Sequence, residues 1–227
     1  MRRREFMSGL MAAGTAGSAA SAFAAVSESD AAIGIRAALE KGAGVAVDML
    51  GRTGGFMNNP KVRIPLPGVL ESGAKLLRMT GQQQRVDDLV ASMNHAAELA
   101  VPEARSLLVN AVRSISVEDG IKILRGGDDA ATQFFAAKTR APIGARFLPI
   151  VTQATQKVDL AAKYNAVAGK AAGLGLVKKE DANVQQYVTG KALDGLFAMI
   201  AEEERKIRAD PVGTGSALLS RVFGSIR

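Results

Sequence analysis

The side chains whose types and spacing could do chemistry fall into three groups. Asn94 and Glu98 stand four residues apart, so both project from one face of a helix and could hold a ligand. His95, the only histidine, lies three residues before Glu98, a spacing that could supply two metal ligands. One such pair without a second histidine is weak as a metal site. Nothing in the chain resembles the G-x-S-x-G elbow that exposes a serine nucleophile. The preferred reading of Asn94 and Glu98 is an interhelical hydrogen-bonding pair that fixes packing, because buried polar groups find partners.

The second group is Gly126-Gly127-Asp128-Asp129, directly before Ala130-Ala131-Thr132. Carboxylates at that position accept backbone N–H bonds and meet the positive end of a helix dipole, so Asp128 or Asp129 reads as a cap. A phosphate would be repelled by the two acids, and the D-x-D-x-D-G spacing of a calcium loop is missing. The third group lies on one long helix: Lys191, Asp194, and Glu202-Glu203-Glu204 ahead of Arg205, Lys206 and Arg208. Glu202–Lys206 and Glu204–Arg208 are four apart, which predicts a solvated, ion-paired face. Asp194, between Leu193 and Leu196-Phe197, reads as a partly buried acid with Lys191 as its partner. The E-x-x-H motif of ferritin-like metal helices is absent. These groups give no catalytic set, no metal site and no cofactor motif.

The elements that must position these residues are helical nearly throughout. Ala and Leu are abundant, and no segment sustains the alternation of a half-buried strand. A first helix begins near Ser27 or Ser29 and runs to about Leu50. Gly42 and Gly44 inside it cost about 1 kcal/mol each relative to Ala, which predicts close approach by another helix. Residues 51–67 break the pattern through Gly54-Gly55, Pro60, Pro65 and Pro67, yet carry Phe56, Val62, Ile64 and Leu66. Such a long apolar loop packs along the body and could serve as a lid. Helices follow over Pro67–Met79, 83–99, 101–114, and from the Ser116 cap to Gly126-Gly127. A further helix carries Phe134 and Phe135. The next spans Thr139 to Val158, where Pro149 should kink or split it. Others cover Asp159–Ala172, a short stretch after Lys178-Lys179-Glu180-Asp181, Thr189–Arg208, and a small C-terminal segment around Leu218 and Phe223. The expected architecture is an all-α, compact single-domain bundle of about ten helices.

The chain of 227 residues opens with Arg3-Arg4-Glu5-Phe6-Met7, similar to the R-R-x-F-L core of a twin-arginine export signal. A Gly/Ala/Ser-rich stretch and Ala22-Phe23-Ala24, an A-x-A cleavage site, follow. Residues 1–24 therefore read as a twin-arginine-like signal peptide, with Arg3, Arg4 and Phe6 as its recognition residues and an ordinary secretory signal as the alternative, and 25–227 as one helical domain, periplasmic or otherwise exported. Net charge is +7 for the whole chain, and the basic residues are scattered. With few aromatics to stack bases, nucleic acid is not an expected partner. There is no cysteine, which removes disulfides, thiolate catalysis and a lipid anchor at the processing site. No apolar run after the signal reaches the length of a spanning helix.

Several stretches together resemble a bacterial family known only as domain of unknown function 4197. They include Gly55-Phe56-Met57-Asn58-Asn59-Pro60-Lys61-Val62-Arg63-Ile64-Pro65-Leu66-Pro67, Ala100-Val101-Pro102-Glu103-Ala104, and Gly127-Asp128-Asp129-Ala130-Ala131-Thr132-Gln133-Phe134-Phe135. Met93-Asn94 with Ala96-Ala97-Glu98, Lys191-Ala192-Leu193-Asp194-Gly195-Leu196-Phe197 and Ile200-Ala201-Glu202-Glu203-Glu204-Arg205-Lys206-Ile207-Arg208 complete the set. The resemblance implies an exported helical domain and carries no catalytic residues over. Many members look like lipoproteins, a pattern from which this chain departs.

Two functions are compatible with these residues. The first is a non-enzymatic binding or interaction module of the envelope, holding an apolar or anionic small molecule between helices, or contacting another envelope protein. The second is a hydrolase-type enzyme built on carboxylates, with or without a metal, drawn from Glu98, Glu103, Asp128, Asp129, Asp194 and Glu202. Convergence of those acids in one concavity would favour the enzyme.

Overall fold

Helical periodicity dominates the fold, as the Ala- and Leu-rich pattern requires. The computed structural model describes residues 28–175 and 183–210. Among them are eight α-helices, one 3-10 turn and no strand, an all-α bundle. The helices are α1 (Glu28–Gly51), α2 (Gly68–Met79), α3 (Gln83–Ala100), α4 (Ala104–Arg113), α5 (Val117–Arg125), α6 (Ala130–Thr155), α7 (Asp159–Gly173) and α8 (Val184–Ala209). The 3-10 turn, Val101–Glu103, carries Pro102 into α4. The expected helix around Leu218 and the signal segment lie outside the described residues. The short helix expected between Asp181 and Thr189 is, from Val184 on, the opening of α8.

Two expected helices are one. Helix α6 runs unbroken through Pro142 and Pro149. The prolines sit seven residues apart on one exposed face. The carbonyls they leave without an N–H, at Lys138 and Ala145, also belong to exposed residues that water can serve. Helix α8 begins at Val184, five residues before Thr189. Asn183 caps it by accepting from the Gln186 N–H at 2.7 Å, and Asn165 accepts from the Val184 N–H at 2.9 Å. Burial of Val184, Tyr187 and Val188 outweighs the modest helix propensity of β-branched and aromatic residues. At α5 the Ser116–Asp119 capping box forms in both directions.

Helices α6 and α8 pack along each other at the centre, with α3 against α6 and α1 against α8. Helices α4 and α5 span from α1 to α6, α7 touches α3 and α8, and α2 leans on α3. The loop at 52–67 is a strap over this body. Its Phe56, Val62, Ile64 and Leu66 are all buried and join the same apolar core as Leu50, Met93 and Leu196. Those side chains are integral to the core, so the segment cannot act as a lid.

Close approach explains two helical glycines. A Cβ on Gly42 would stand 3.2 Å from Ile207 Cδ1, which places α8 against α1 as the sequence suggested. A Cβ on Gly195 would stand 2.8 Å from Phe56 Cε1 and 3.2 Å from Val62 Cβ. The strap therefore seats its one aromatic ring on the bare backbone of α8. Gly190, a turn and a half earlier on the same helix, has open space where its Cβ would be. Gly195→Ala should cost about 1–3 kcal/mol despite its better helix propensity, because the ring must shift. Gly190→Ala should instead stabilise by up to about 1 kcal/mol. Urea unfolding of the two variants measures both signs.

Candidate functional site

Asn94 and Glu98, one turn apart on α3, both face the strap and are almost fully buried. Asn94 Oδ1 accepts from the Ile64 N–H at 2.8 Å, and its Nδ2 donates to the Ile64 carbonyl at 2.9 Å. This is the bond pair a neighbouring β-strand would supply to Ile64. The same amide donates to the Val90 carbonyl at 2.8 Å, which fixes its orientation. Glu98 Oε1 accepts from the N–H groups of Phe56 at 3.1 Å and Met57 at 3.2 Å. The other oxygen lies 3.7 Å from Nδ1 of His95, an exposed side chain. The expected interhelical pair is thus a helix-to-strap pair, and its ligand is the protein's own backbone. The reason is the strap itself: a buried segment with no ladder must pair its amides with side chains.

Glu204 does for α6 what the sequence assigned to the aspartates. Its carboxylate accepts from the Ala131 N–H at 3.0 Å, the Thr132 N–H at 2.9 Å and the Thr132 hydroxyl at 2.9 Å. Arg208 donates to it at 2.8 Å and also to the Ile123 carbonyl at the end of α5, at 2.8 Å. Glu204 is only 4% exposed, so the expectation of a solvated face fails for this pair, although the Glu204–Arg208 bridge itself forms. Asp129 occupies the N-cap position without a capping bond, accepting instead from Gln133 Nε2 at 3.0 Å. The second and third amides of α6, which a cap would use, are already taken by Glu204. Asp128 is exposed beside it. The signal for Glu204 was present in its spacing: Phe197, Ile200, Glu204 and Ile207 form one apolar stripe interrupted by one acid.

The remaining candidates are dispersed. Asp194 is 53% exposed rather than partly buried, and its nearest partner is Arg140 of α6 at 2.5 Å, with Lys191 at 4.0 Å. The charge comes from α6 because the two helices pack side by side there, which sequence spacing along α8 cannot show. Lys191 also sits 5.8 Å over the Tyr187 ring. Glu202 reaches the strap, where Lys61 Nζ lies at 2.7 Å, and pairs with Lys206 at 3.4 Å as expected. The Lys61 hydrogen bond holds the Glu202 carboxyl below the usual range, against a smaller opposing effect of burial. Among the described residues, no three acidic or histidine side chains gather at metal-binding distance. Glu98 is engaged by strap amides, Glu202 by Lys61 and Asp194 by Arg140.

Concave space lies instead on the outer side of the strap. One cleft, of about 420 Å³, is bordered by Arg52, Thr53, Asn58 and Asn59. A second, of about 380 Å³, lies between the strap and α2, bordered by Arg63, Leu66, Glu71, Arg78 and Val90. Pro60 stands at the edge of both. A smaller one, of about 160 Å³, separates α1 from α4 near Arg105, which pairs with Asp48. A shallow concavity among α1, α5 and α8 holds about 20 Å³, room for one water. The arginines of the two strap clefts were not singled out by the sequence, because exposed Arg among scattered charge carries no positional signal.

A strapped, all-α bundle with polar pins beneath the strap and basic clefts outside it defines the class. The chain belongs to the family described as Protein of unknown function (DUF4197), whose model matches residues 25–224. No curated protein and no solved structure matches it.

Asn94→Ala orphans both polar groups of Ile64 and should cost about 2–4 kcal/mol. Amide hydrogen exchange should show lost protection at Ile64 ahead of α6 and α8. Protection unchanged at Ile64 would contradict the pinning role. The Glu202–Lys61 contact gives a pH signature. A carboxyl depressed on folding stabilises fully above its ordinary value of about 4.3 and loses that contribution as pH falls through the folded value. Because the pair is solvent-facing, the effect should stay below about 1 kcal/mol. The stability difference between the parent chain and Glu202→Gln should therefore be present at neutral pH and vanish in strong acid.

Proposed function

We propose that the protein is a non-enzymatic binding module of the bacterial envelope that takes its ligand on the outer face of the strap. One observation carries this reading: Asn94 and Glu98 are engaged beneath the strap, while several side chains bordering the clefts outside it have no partner among the described residues. Asn94 uses both polar atoms of its side chain on Ile64, Glu98 Oε1 holds two strap amides, and away from the strap Glu204 holds two amides of α6, so engaging any of them would loosen a join in the fold. Outside, the side chains of Arg52, Asn58 and Arg63 border open clefts and have no hydrogen-bonding partner among the described residues. A ligand held between α1, α5 and α8 is disfavoured by the water-sized concavity there. The twin-arginine-like opening, with Arg3, Arg4 and Phe6, supports export, and Ala22-Phe23-Ala24 supports processing near residue 24. Among the described residues no helix is long and apolar enough to cross a membrane, so the clefts are presented on the bundle itself.

The engagement of Glu98 by strap amides, Glu202 by Lys61 and Asp194 by Arg140 weighs against the carboxylate enzyme, since general acid–base chemistry needs groups free to reach a substrate atom. Native mass spectrometry with elemental analysis, on protein purified from its own periplasm, tests the reading. A co-purified organic molecule in stoichiometric amount is the expected result. A stoichiometric catalytic metal, or recovery of the chain from the cytoplasm with residues 1–24 intact, would overturn it.

A further inference from the structure

The second strap cleft has a composition that selects a ligand class, and the inference rests on the binding-module reading above. Arg63 comes from the strap and Arg78 from the last turn of α2, and both border the same space of about 380 Å³. Neither guanidinium has an ion-pair or hydrogen-bond partner among the described residues, although Glu71 borders the same cleft. Some other exposed cations are paired, Lys61 with Glu202, Arg140 with Asp194 and Lys206 with Glu203. Apart from Glu71, the rest of the lining is apolar. Leu66 is buried at its base, Val90 is half-buried, and Pro60 and Pro65 stand at the rim without an N–H to offer. Guanidinium forks match carboxylate and phosphate oxygens, while the apolar wall favours a hydrocarbon segment next to that head. The volume lies within the range of small-molecule sites, about 300–1,000 Å³.

We propose that the cleft between the strap and α2 binds an amphiphile, gripping its phosphate or carboxylate head with Arg63 and Arg78 and its adjoining chain with Leu66 and Val90. Two sources could present that chemistry: a free monomeric amphiphile or a phospholipid in a bilayer. The outer face of α2 bears on the choice. Leu76 is 63% and Met79 84% exposed, on the helix that supplies Arg78 and the exposed Lys75. Such a face can enter the headgroup region of an anionic bilayer.

The test uses the full processed chain and three probes: decyl phosphate below its micelle concentration, inorganic phosphate, and phosphatidylglycerol vesicles. Isothermal titration should show one decyl phosphate site, with inorganic phosphate about tenfold weaker or more because it lacks the chain. Arg63→Gln/Arg78→Gln should weaken decyl phosphate binding by about tenfold or more. Arg113→Gln, exposed on α4, is the control for charge and should not. Circular dichroism and the thermal midpoint verify that both variants fold. Monomer binding without vesicle sedimentation assigns a free amphiphile. Monomer binding together with sedimentation that Leu76→Asp/Met79→Asp abolishes assigns a bilayer lipid. No saturable monomer binding, or equal weakening by Arg113→Gln, overturns the site. A co-purified ligand of different chemistry, found alongside that negative result, would leave the binding-module reading standing and remove this inference alone.

Discussion

The structure depends on paying one debt, the backbone polarity of the strap. Residues 52–67 cross the bundle without a helix or sheet ladder, yet four of their side chains belong in the core. Burying Phe56 and Ile64 is favourable by about 1.5–3 kcal/mol each, but an unpaired amide beside them would cancel much of that gain. Asn94 and Glu98 remove the conflict by pairing with Ile64, Phe56 and Met57. Prolines at 60, 65 and 67 reduce the problem further, since they bring no donor to satisfy. Turn bonds such as Val62 N–H to the Asn59 carbonyl at 3.2 Å close most of the rest.

The same physics recurs at the junction of α5, α6 and α8. Two helix ends meet there, one presenting amides and the other carbonyls. Glu204 and Arg208 sit between them as an ion pair whose members each serve one end. A buried pair of this kind costs desolvation, which these hydrogen bonds and the two helix dipoles offset. In both places a polar side chain that looks reactive in isolation is consumed in joining elements. That is why the outer clefts, whose arginines have no such task, carry the functional argument. With a ring from the strap resting on Gly195, the strap is also held too tightly to open, so its outer surface is a fixed feature.

Much of the fold was legible in the residues. Ser116-Val117-Glu118-Asp119 announced α5, Gly42 announced a helix crossing, and the prolines with apolar neighbours announced a packed loop. Family membership was carried by local stretches such as Gly55–Pro67. The misreadings share one cause. Asp129 has the right type and position for a cap, yet Glu204, far away in sequence, reaches the amides first. Asp194 has an apolar neighbourhood in sequence, yet its face of α8 looks outward to Arg140. Pro149 should split a helix, yet it and Pro142 lie where water can take the place of the lost bonds.

By itself, then, the sequence determined what short-range chemistry determines: helical segments from periodicity and the α5 start from its capping box. It also limited the chemistry through the absence of cysteine and of a second histidine. Only the tertiary structure decided which polar groups are spent and which are free. Whether Glu98 or Glu204 faces an amide, an arginine or water depends on elements tens of residues away. Hydrogen bonds at about 3 Å are assigned by that packing, and no local spacing encodes them.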